Sequence, residues 1–320
     1  MWLTWRAAME RALYGESGFY LRERPSGHFR TSVGASPVFA GAVLTMLLRL
    51  DGALGRPDPL DLVDIGAGDG ALSAHVLAAA PPELRARLRV TAVDLSSRPA
   101  GLPEAIRWSH TIPQGITGMV IANEWLDNVP FDVVEQTAAG PRLVLVHTGT
   151  GEERLGDPPG EDDLAWLEQW WPLRRVGQRA EVGRSRCAAW AAVIARLAGG
   201  QAIAVDYAHP VDNRPPRGTL TGYRDGSVVA PIPDGTCDIT AHVALDACAE
   251  AGRQAGAIST TLSTQRDILR TLGVTGTRPA LDLARTDPSG YLRALARASQ
   301  EAELIDPAGL GGFGWLSQIR

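Results

Sequence analysis

The sequence predicts an α/β fold built on an open, mostly parallel, doubly wound sheet with helices on both faces. Three observations carry that prediction. Short apolar runs, typical of strands buried on both faces, alternate along the chain with helix-forming stretches. The first central run, Leu60–Ile65, leads directly into glycines at 66, 68 and 70 and then a helix-forming segment. That order is the first half of a nucleotide-binding βαβ unit. Finally, Asp64 with Gly66, Asp94, Asn123 with Glu124, and Asp206 with Tyr207 all fall at predicted carboxyl ends of strands. Open α/β sheets bind their ligands there.

Taken in order, residues 2–13 read as an amphipathic helix, with Trp2, Trp5, Met9 and Leu13 spaced by three or four. Gly18–Tyr20 and Gly27–Ser32 read as loops. Ser36 and Pro37 form an N-cap and N1 pair for a helix running to about Leu54. Arg56–Pro59 links it to the Leu60 strand. The helix from Ala71 ends before Pro81-Pro82. Arg89–Leu95, Ala105–Trp108 and Thr117–Ala122 read as the second, third and fourth strands. Residues 131–138 and 142–148 alternate around Gly140-Pro141 as a β-hairpin. Gly149–Asp163 reads as an exposed loop, Leu164–Trp171 as a short helix, and Val182–Leu197 as a helix stopped by Gly199-Gly200. Gln201–Tyr207 is the fifth strand. Residues 208–241 are dense in proline and glycine and read as an insertion suited to a lid or substrate loop. Helices near 243–255, 264–272 and 288–300, and strands near Ala257–Leu262 and Gly311–Ile319, complete the chain. The division expected is an N-terminal helical segment over 1–55, contributing to the cofactor pocket, and a main domain over 56–320 that holds the insertion.

The glycine turn carries the first functional reading. The dinucleotide fingerprint is G-x-G-x-x-G with an acid about 20 residues later. Here the spacing is G-x-G-x-G, and Asp64 lies two residues before Gly66. A negative charge beside the turn suits a cationic ligand with an ammonium or sulfonium, and suits a pyrophosphate poorly. The expected ligand is S-adenosylmethionine (SAM), held at Asp64, Gly66, Gly68 and Gly70. Asp94, at the end of the second strand, is placed to accept both hydroxyls of a ribose.

Composition narrows the classes further. The chain has 320 residues, 45% hydrophobic and 21% charged, enough for a large core in one or two domains. A net charge of -5 argues against a general nucleic-acid binder, which needs a basic face. Apart from histidine, every basic side chain is arginine. Cys187, Cys237 and Cys248 show no C-x-x-C spacing, which fits a reducing compartment and neither a disulfide framework nor a zinc site. No metal site is expected. The start lacks the apolar core of a signal peptide. Val43–Leu50, the strongest apolar run near it, is too short to span a bilayer. A cytoplasmic protein without membrane contact is the expectation.

Asn123-Glu124-Trp125-Leu126-Asp127, after the fourth strand, is the candidate for chemistry. Methyl transfer from a sulfonium is an in-line displacement that needs alignment, exclusion of water and management of the nucleophile's proton. If this turn is helical, Glu124 and Asp127 share a face and can grip a guanidinium, an amine or a hydroxyl. Asn123 offers an amide to either ligand. The plainer alternative is a helix N-terminus with acids favoured by its dipole. In the second polar cluster, Thr236–Val243, Asp238 or Thr240 reads as a helix cap and His242 as a candidate general base. The tryptophans at 166, 170 and 171 read as core packing.

Together these motifs resemble the MidA-like SAM-dependent methyltransferases, a family that includes a mitochondrial complex I assembly factor methylating a protein arginine. The resemblance rests on Ala12–Gly15, Gly18–Tyr20, Phe29–Ser32, Val38-Phe39, Asp64–Gly70, Asn123–Pro130, Asp206-Tyr207, Gly218–Leu220, Gly222-Tyr223, Asp238–Val243 and Gly311–Phe313. It implies a class I, Rossmann-like methyltransferase fold with a SAM pocket at Gly66, Gly68 and Asp94. It also implies that the Phe29–Ser32 segment closes near the cofactor, which brings in Thr31 and Ser32. The chain departs from the family's pattern at His28, Ala208 and Ala244, positions that bear on the acceptor rather than the cofactor. The resemblance implies a protein arginine N-methyltransferase. A small-molecule O- or N-methyltransferase and a catalytically quiet SAM-binding assembly factor stand as alternatives, and the glycine spacing disfavours a nicotinamide dehydrogenase. The partner expected is a protein or small-molecule methyl acceptor, with no nucleic acid, and a homodimer stays open.

Overall fold

The computed structural model describes residues 1–16, 18–22 and 37–320. Thr31, Ser32 and His28, and the Ser36 cap, lie outside the described residues.

The N-terminus differs from the amphipathic-helix expectation in its first turn. β1 (Trp2–Thr4) is a strand, and α1 (Trp5–Tyr14) begins behind it, with Thr4 Oγ1 accepting from Ala7 N. The threonine cap stops the helix from reaching Trp2. α2 (Phe19–Arg22) follows, then α3 (Pro37–Ala53).

Next come β2 (Leu60–Ile65), α4 (Ala71–Ala79), α5 (Pro82–Arg85), β3 (Leu88–Val93), β4 (Ile106–Ser109) and β5 (Ile116–Asn123). A 3-10 turn over Leu126–Asn128 leads to β6 (Asp132–Thr137) and β7 (Gly140–His147), antiparallel as the alternation required. β8 (Glu153–Leu155) pairs with β7 inside the segment read as a loop, and α6 (Glu161–Trp170) follows. β9 (Arg179–Val182), α7 (Arg184–Arg196) and β10 (Leu197–Asp206) come next. The predicted helix thus loses its start to a strand that pairs with β6.

The insertion is a small sheet of β11 (Thr221–Arg224), β12 (Ser227–Val229) and β13 (Asp238–Thr240). The C-terminal part holds α8 (Leu245–Gln254), β14 (Ser259–Thr264), α9 (Gln265–Thr271), α10 (Leu281–Thr286), α11 (Pro288–Leu304) and β15 (Gly314–Ile319).

The central sheet runs β14-β15-β10-β5-β2-β3-β4. Its pairings from β10 to β4 are parallel, but β15 runs antiparallel to both β10 and β14, so the sheet is mixed. Successive residues of β2 alternate between two cores. Leu60 and Leu62 join a cluster with Phe39, Leu47, Leu72 and Trp315, while Val63 and Ile65 join one with Trp190, Ile194 and Cys248. That alternation is the period of two of a strand covered on both faces. Gly118 and Gly200 sit where β5 passes its neighbours: a Cβ on Gly200 would lie 1.9 Å from Gly118 O.

A second sheet, β1-β7-β6-β9 with β8 on β7, carries the hairpin. α1 and Phe19 bury Trp5, Met9 and Leu13 against Phe131, Val133, Val146 and Ile239, which ties this sheet to the insertion. Trp166 and Trp171 pack as core against Val134, Val182 and Ala247. No helix among the described residues is long and apolar enough to cross a membrane.

Candidate functional site

β2 ends at Ile65, and Gly66, Gly68 and Gly70 then take φ of +70°, +58° and +75°. Three alternating left-handed residues form a turn that glycine adopts without strain. The Gly66 and Ala67 amides donate to Val93 O at the end of β3, at 2.9 and 3.2 Å. Asp94 closes the turn from the same strand end. Its Oδ2 accepts from Gly68 N at 2.9 Å and its Oδ1 from Ser96 N at 2.8 Å. Each carboxylate oxygen keeps a further lone pair, so Asp94 can still accept ligand hydroxyls.

The three glycines are not equivalent. A Cβ on Gly66 would meet Trp125 Cδ1 at 3.1 Å, and one on Gly70 would meet Leu102 Cδ1 at 2.6 Å. A Cβ on Gly68 would meet nothing within 4 Å among the described residues. Gly66 and Gly70 therefore make room for protein, and Gly68 alone faces open space.

Asp64 departs from the expectation that it sets a negative charge beside the ligand. It is buried, and its Oδ2 accepts from Ser73 Oγ of α4 at 2.9 Å. Burial raises its pKa from 3.8 to about 7. It pins the first turns of α4 to β2 and does not present a free carboxylate to the turn.

At the end of β5, Glu124 has φ of +50°, and the 3-10 turn starts only at Leu126. Glu124 and Asp127 therefore do not share a helical face, which corrects the expectation of a paired carboxylate grip. The reason is Asp206 at the end of β10. Its Oδ2 accepts from Leu126 N at 2.9 Å and Asp127 N at 3.2 Å, drawing the turn down onto the neighbouring strand end. Glu124 N donates to Val205 O at 2.8 Å, and Asn123 Nδ2 donates to Glu124 Oε1 at 2.9 Å. Asn123 Oδ1 is buried without a hydrogen-bond partner among the described residues.

Asp127 sits deeper than expected. Thr240 Oγ1 donates to its Oδ2 at 2.7 Å, and its Oδ1 is buried without a partner among the described residues. Burial holds its carboxyl above the usual range against the pull of Thr240 and Arg186. Asp238 and Thr240 do not cap α8, which starts after Ala244 without a side-chain cap. Asp238 Oδ1 instead accepts from Tyr20 Oη at 2.6 Å and Asn128 Nδ2 at 3.0 Å, and burial raises its pKa to about 7. Tyr14 Oη donates to Asn128 O at 3.0 Å, so both N-terminal helices clasp this corner.

His242 stacks on Tyr207, with centroids 5.5 Å apart and planes 23° apart, and lies 6.3 Å from the His209 ring. Its backbone N donates to Thr219 Oγ1 at 2.9 Å. Burial first, and then the Arg186 charge, lower its pKa, so the imidazole is neutral near pH 7 and able to take a proton. Tyr207 also packs 4.2 Å from Phe313, from the tail.

Gly68, Asp94 and Asn123 thus stand at or just past the carboxyl ends of the adjacent strands β2, β3 and β5, Glu124 and Asp127 follow β5, and Asp238 opens β13 with His242 just beyond it. Arg186 and Tyr20 are partners to which motif reading gave no role, and Asp238 joins them in place of the expected cap. A cavity of about 390 Å³ lined by Trp5, Glu153, Glu181, Gly218 and Ile232 shares no residue with the glycine turn.

The residues present fit a SAM-sized ligand on two counts. Gly68 leaves its backbone open to a ligand, and the Asn123 Oδ1 acceptor awaits a donor such as an ammonium. The sequence matches the Methyltransf_28 family of S-adenosyl-L-methionine-dependent methyltransferases over residues 42–263. Among solved structures, a COG1565 superfamily member from Burkholderia thailandensis, bound to S-adenosyl-homocysteine, is 28% identical. It has a TM-score of 0.81, covering 100% of this chain and 88% of the other. A native structure of a protein of that superfamily from the same organism gives 28% identity and a TM-score of 0.80, covering 100% and 87%. Among curated proteins no match is found.

Proposed function

The chain belongs to this family of SAM-dependent methyltransferases, and from that premise we propose a class I, Rossmann-like enzyme that methylates a protein arginine. SAM, when bound, supplies an electrophilic methyl group on a sulfonium. The chain's own residues do the rest. Gly68 and Asp94 hold the nucleoside end, and Asn123 receives the ammonium of the amino-acid end. On the acceptor side, Glu124 orients the nucleophilic nitrogen, and Asp127 Oδ1 receives one of its N–H groups. His242, neutral near pH 7, takes the proton released as the new N–C bond forms.

The observation that carries the arginine reading is the donor-seeking character of the strand ends. With Asn123 Oδ1 given to the cofactor, Asp127 Oδ1 is the buried acceptor left without a partner among the described residues, three positions on from Glu124. Buried polar atoms are rarely left unpaired, and a cation rich in N–H donors satisfies it. Glu124→Gln is expected to lower turnover much more than SAM affinity, and equal loss of both moves Glu124 to the cofactor side. The direct test is incubation with labelled SAM and either cell extract or arginine-containing peptides. Label in a protein band is expected. Label confined to a small-molecule fraction, or binding without transfer, refutes the protein acceptor.

A further inference from the structure

We propose that Arg186 is a positioning residue of the acceptor side: its buried guanidinium locks the Asp127 turn and the Ala241–His242 stretch at one fixed separation. The proposal rests on the methyltransferase reading and adds to it a residue that touches neither ligand. Arg186 stands in the first turn of α7 and is 1% exposed. Its Nη2 donates to Asp127 O at 2.6 Å and Ala241 O at 3.0 Å, and its Nη1 to His242 O at 2.9 Å. All three acceptors are main-chain carbonyls, so the fork fixes backbone and not merely side chains. The guanidinium lies 4.0 Å above the Phe131 ring centroid, and its Nε is buried without a partner among the described residues.

Removing a guanidinium from water is costly, and an apolar residue of similar volume often serves stability as well. Core packing alone therefore gives little reason for an arginine here. What it adds is a rigid fork and a positive charge set near Asp127, Asp206 and Glu181. With Arg186 on its carbonyl, Thr240 on Oδ2 and Asp206 on its amide, Asp127 is held three ways while Oδ1 stays unpartnered. His242 is held as firmly, by Thr219 at its amide and Arg186 at its carbonyl. The groups facing its ring are Tyr207 and His209, and the nearby charge that disfavours imidazolium is Arg186.

The test uses the full-length protein with labelled histidine, and the His242 imidazole signal is assigned by its loss in His242→Asn. Arg186→Gln removes the charge and leaves one terminal nitrogen where the fork has two. In the folded variant, the His242 titration midpoint is expected to move upward and its signal to shift, while Arg186→Lys restores the midpoint but not the signal position. A folded Arg186→Gln whose His242 signal keeps both the wild-type position and the wild-type titration overturns the proposal. Should Arg186→Gln fail to fold, Arg186→Lys decides: a His242 spectrum identical to wild type refutes the positioning role. Wild-type S-adenosylhomocysteine affinity is measured alongside. Its absence would sink the methyltransferase reading, whereas an unmoved His242 in a protein that binds S-adenosylhomocysteine would sink only the role of Arg186.

Discussion

A methyl group added at position 68 would enter open space, while one added at position 66 would press on the Trp125 side chain. Both positions have positive φ, so any side chain is strained by roughly 1–2 kcal/mol. Beyond that shared strain the outcomes separate. Gly68→Val is expected to keep the fold and lose S-adenosylhomocysteine binding by at least tenfold, read by calorimetry. Gly66→Val is expected to lower the melting temperature as well, because Trp125 has to move. Asp94→Asn removes the charge from two hydrogen bonds that shape the turn, and an affinity loss of about tenfold, or ~1.4 kcal/mol, is expected. At this scale the sequence spoke clearly where chemistry is periodic. The glycine spacing and Asp94 were legible because each closes one turn between adjacent strands. The division of labour among the glycines was not, because Trp125 and Leu102 reach the turn from elsewhere in the chain. Arg186 was hidden for a different reason. The buried stripe Trp190, Val193 and Ile194 extends back one turn onto it, but a charged residue on that stripe reads as a breach in the apolar pattern.

Among the elements, the joint between β2 and α4 carries its own titration. The Asp64 carboxyl is held near pKa 7 in the folded protein against 3.8 ordinarily. The native state therefore binds a proton that the unfolded chain releases, and stability falls as pH rises from about 4 to about 7, then levels off. Asp238, also raised to about 7 by burial, adds a slope of the same sign. Asp64→Asn keeps an acceptor for Ser73 Oγ and removes the proton. Its melting temperature is expected to decline less between pH 5 and 7 than that of the wild type, and an unchanged slope would place the titration elsewhere. The middle strands of the central sheet, β2, β5 and β10, were readable because each is largely apolar and buried. β1, β8 and β9 were not, since they are three or four residues long and pair at the edge of a second sheet. The insertion reads as turns because its strands are equally short and interrupted by glycine and proline. The helical face expected for Glu124 and Asp127 failed because Asp206, distant in sequence, captures the Leu126 and Asp127 amides.

Across the molecule, the central sheet has one core on each face, and the polar strand ends meet where the insertion, the N-terminal helices and the tail converge. The alternation of strands and helices made that architecture legible. The antiparallel β15 was not legible, because a strand's direction leaves no mark on its own composition. Ligand binding at the glycine turn couples to the whole fold by mass action. A ligand present at 100 times its dissociation constant stabilises by about 2.7 kcal/mol, so S-adenosylhomocysteine is expected to raise the melting temperature by several degrees. The most direct measurement is calorimetric titration of wild type and Gly68→Val with S-adenosylhomocysteine, with NAD as control. Saturable binding of S-adenosylhomocysteine to the wild type, its loss in a folded Gly68→Val, and no heat from NAD are the expected result. Binding of NAD in place of S-adenosylhomocysteine, or undiminished S-adenosylhomocysteine affinity in Gly68→Val, would contradict a SAM site at this turn.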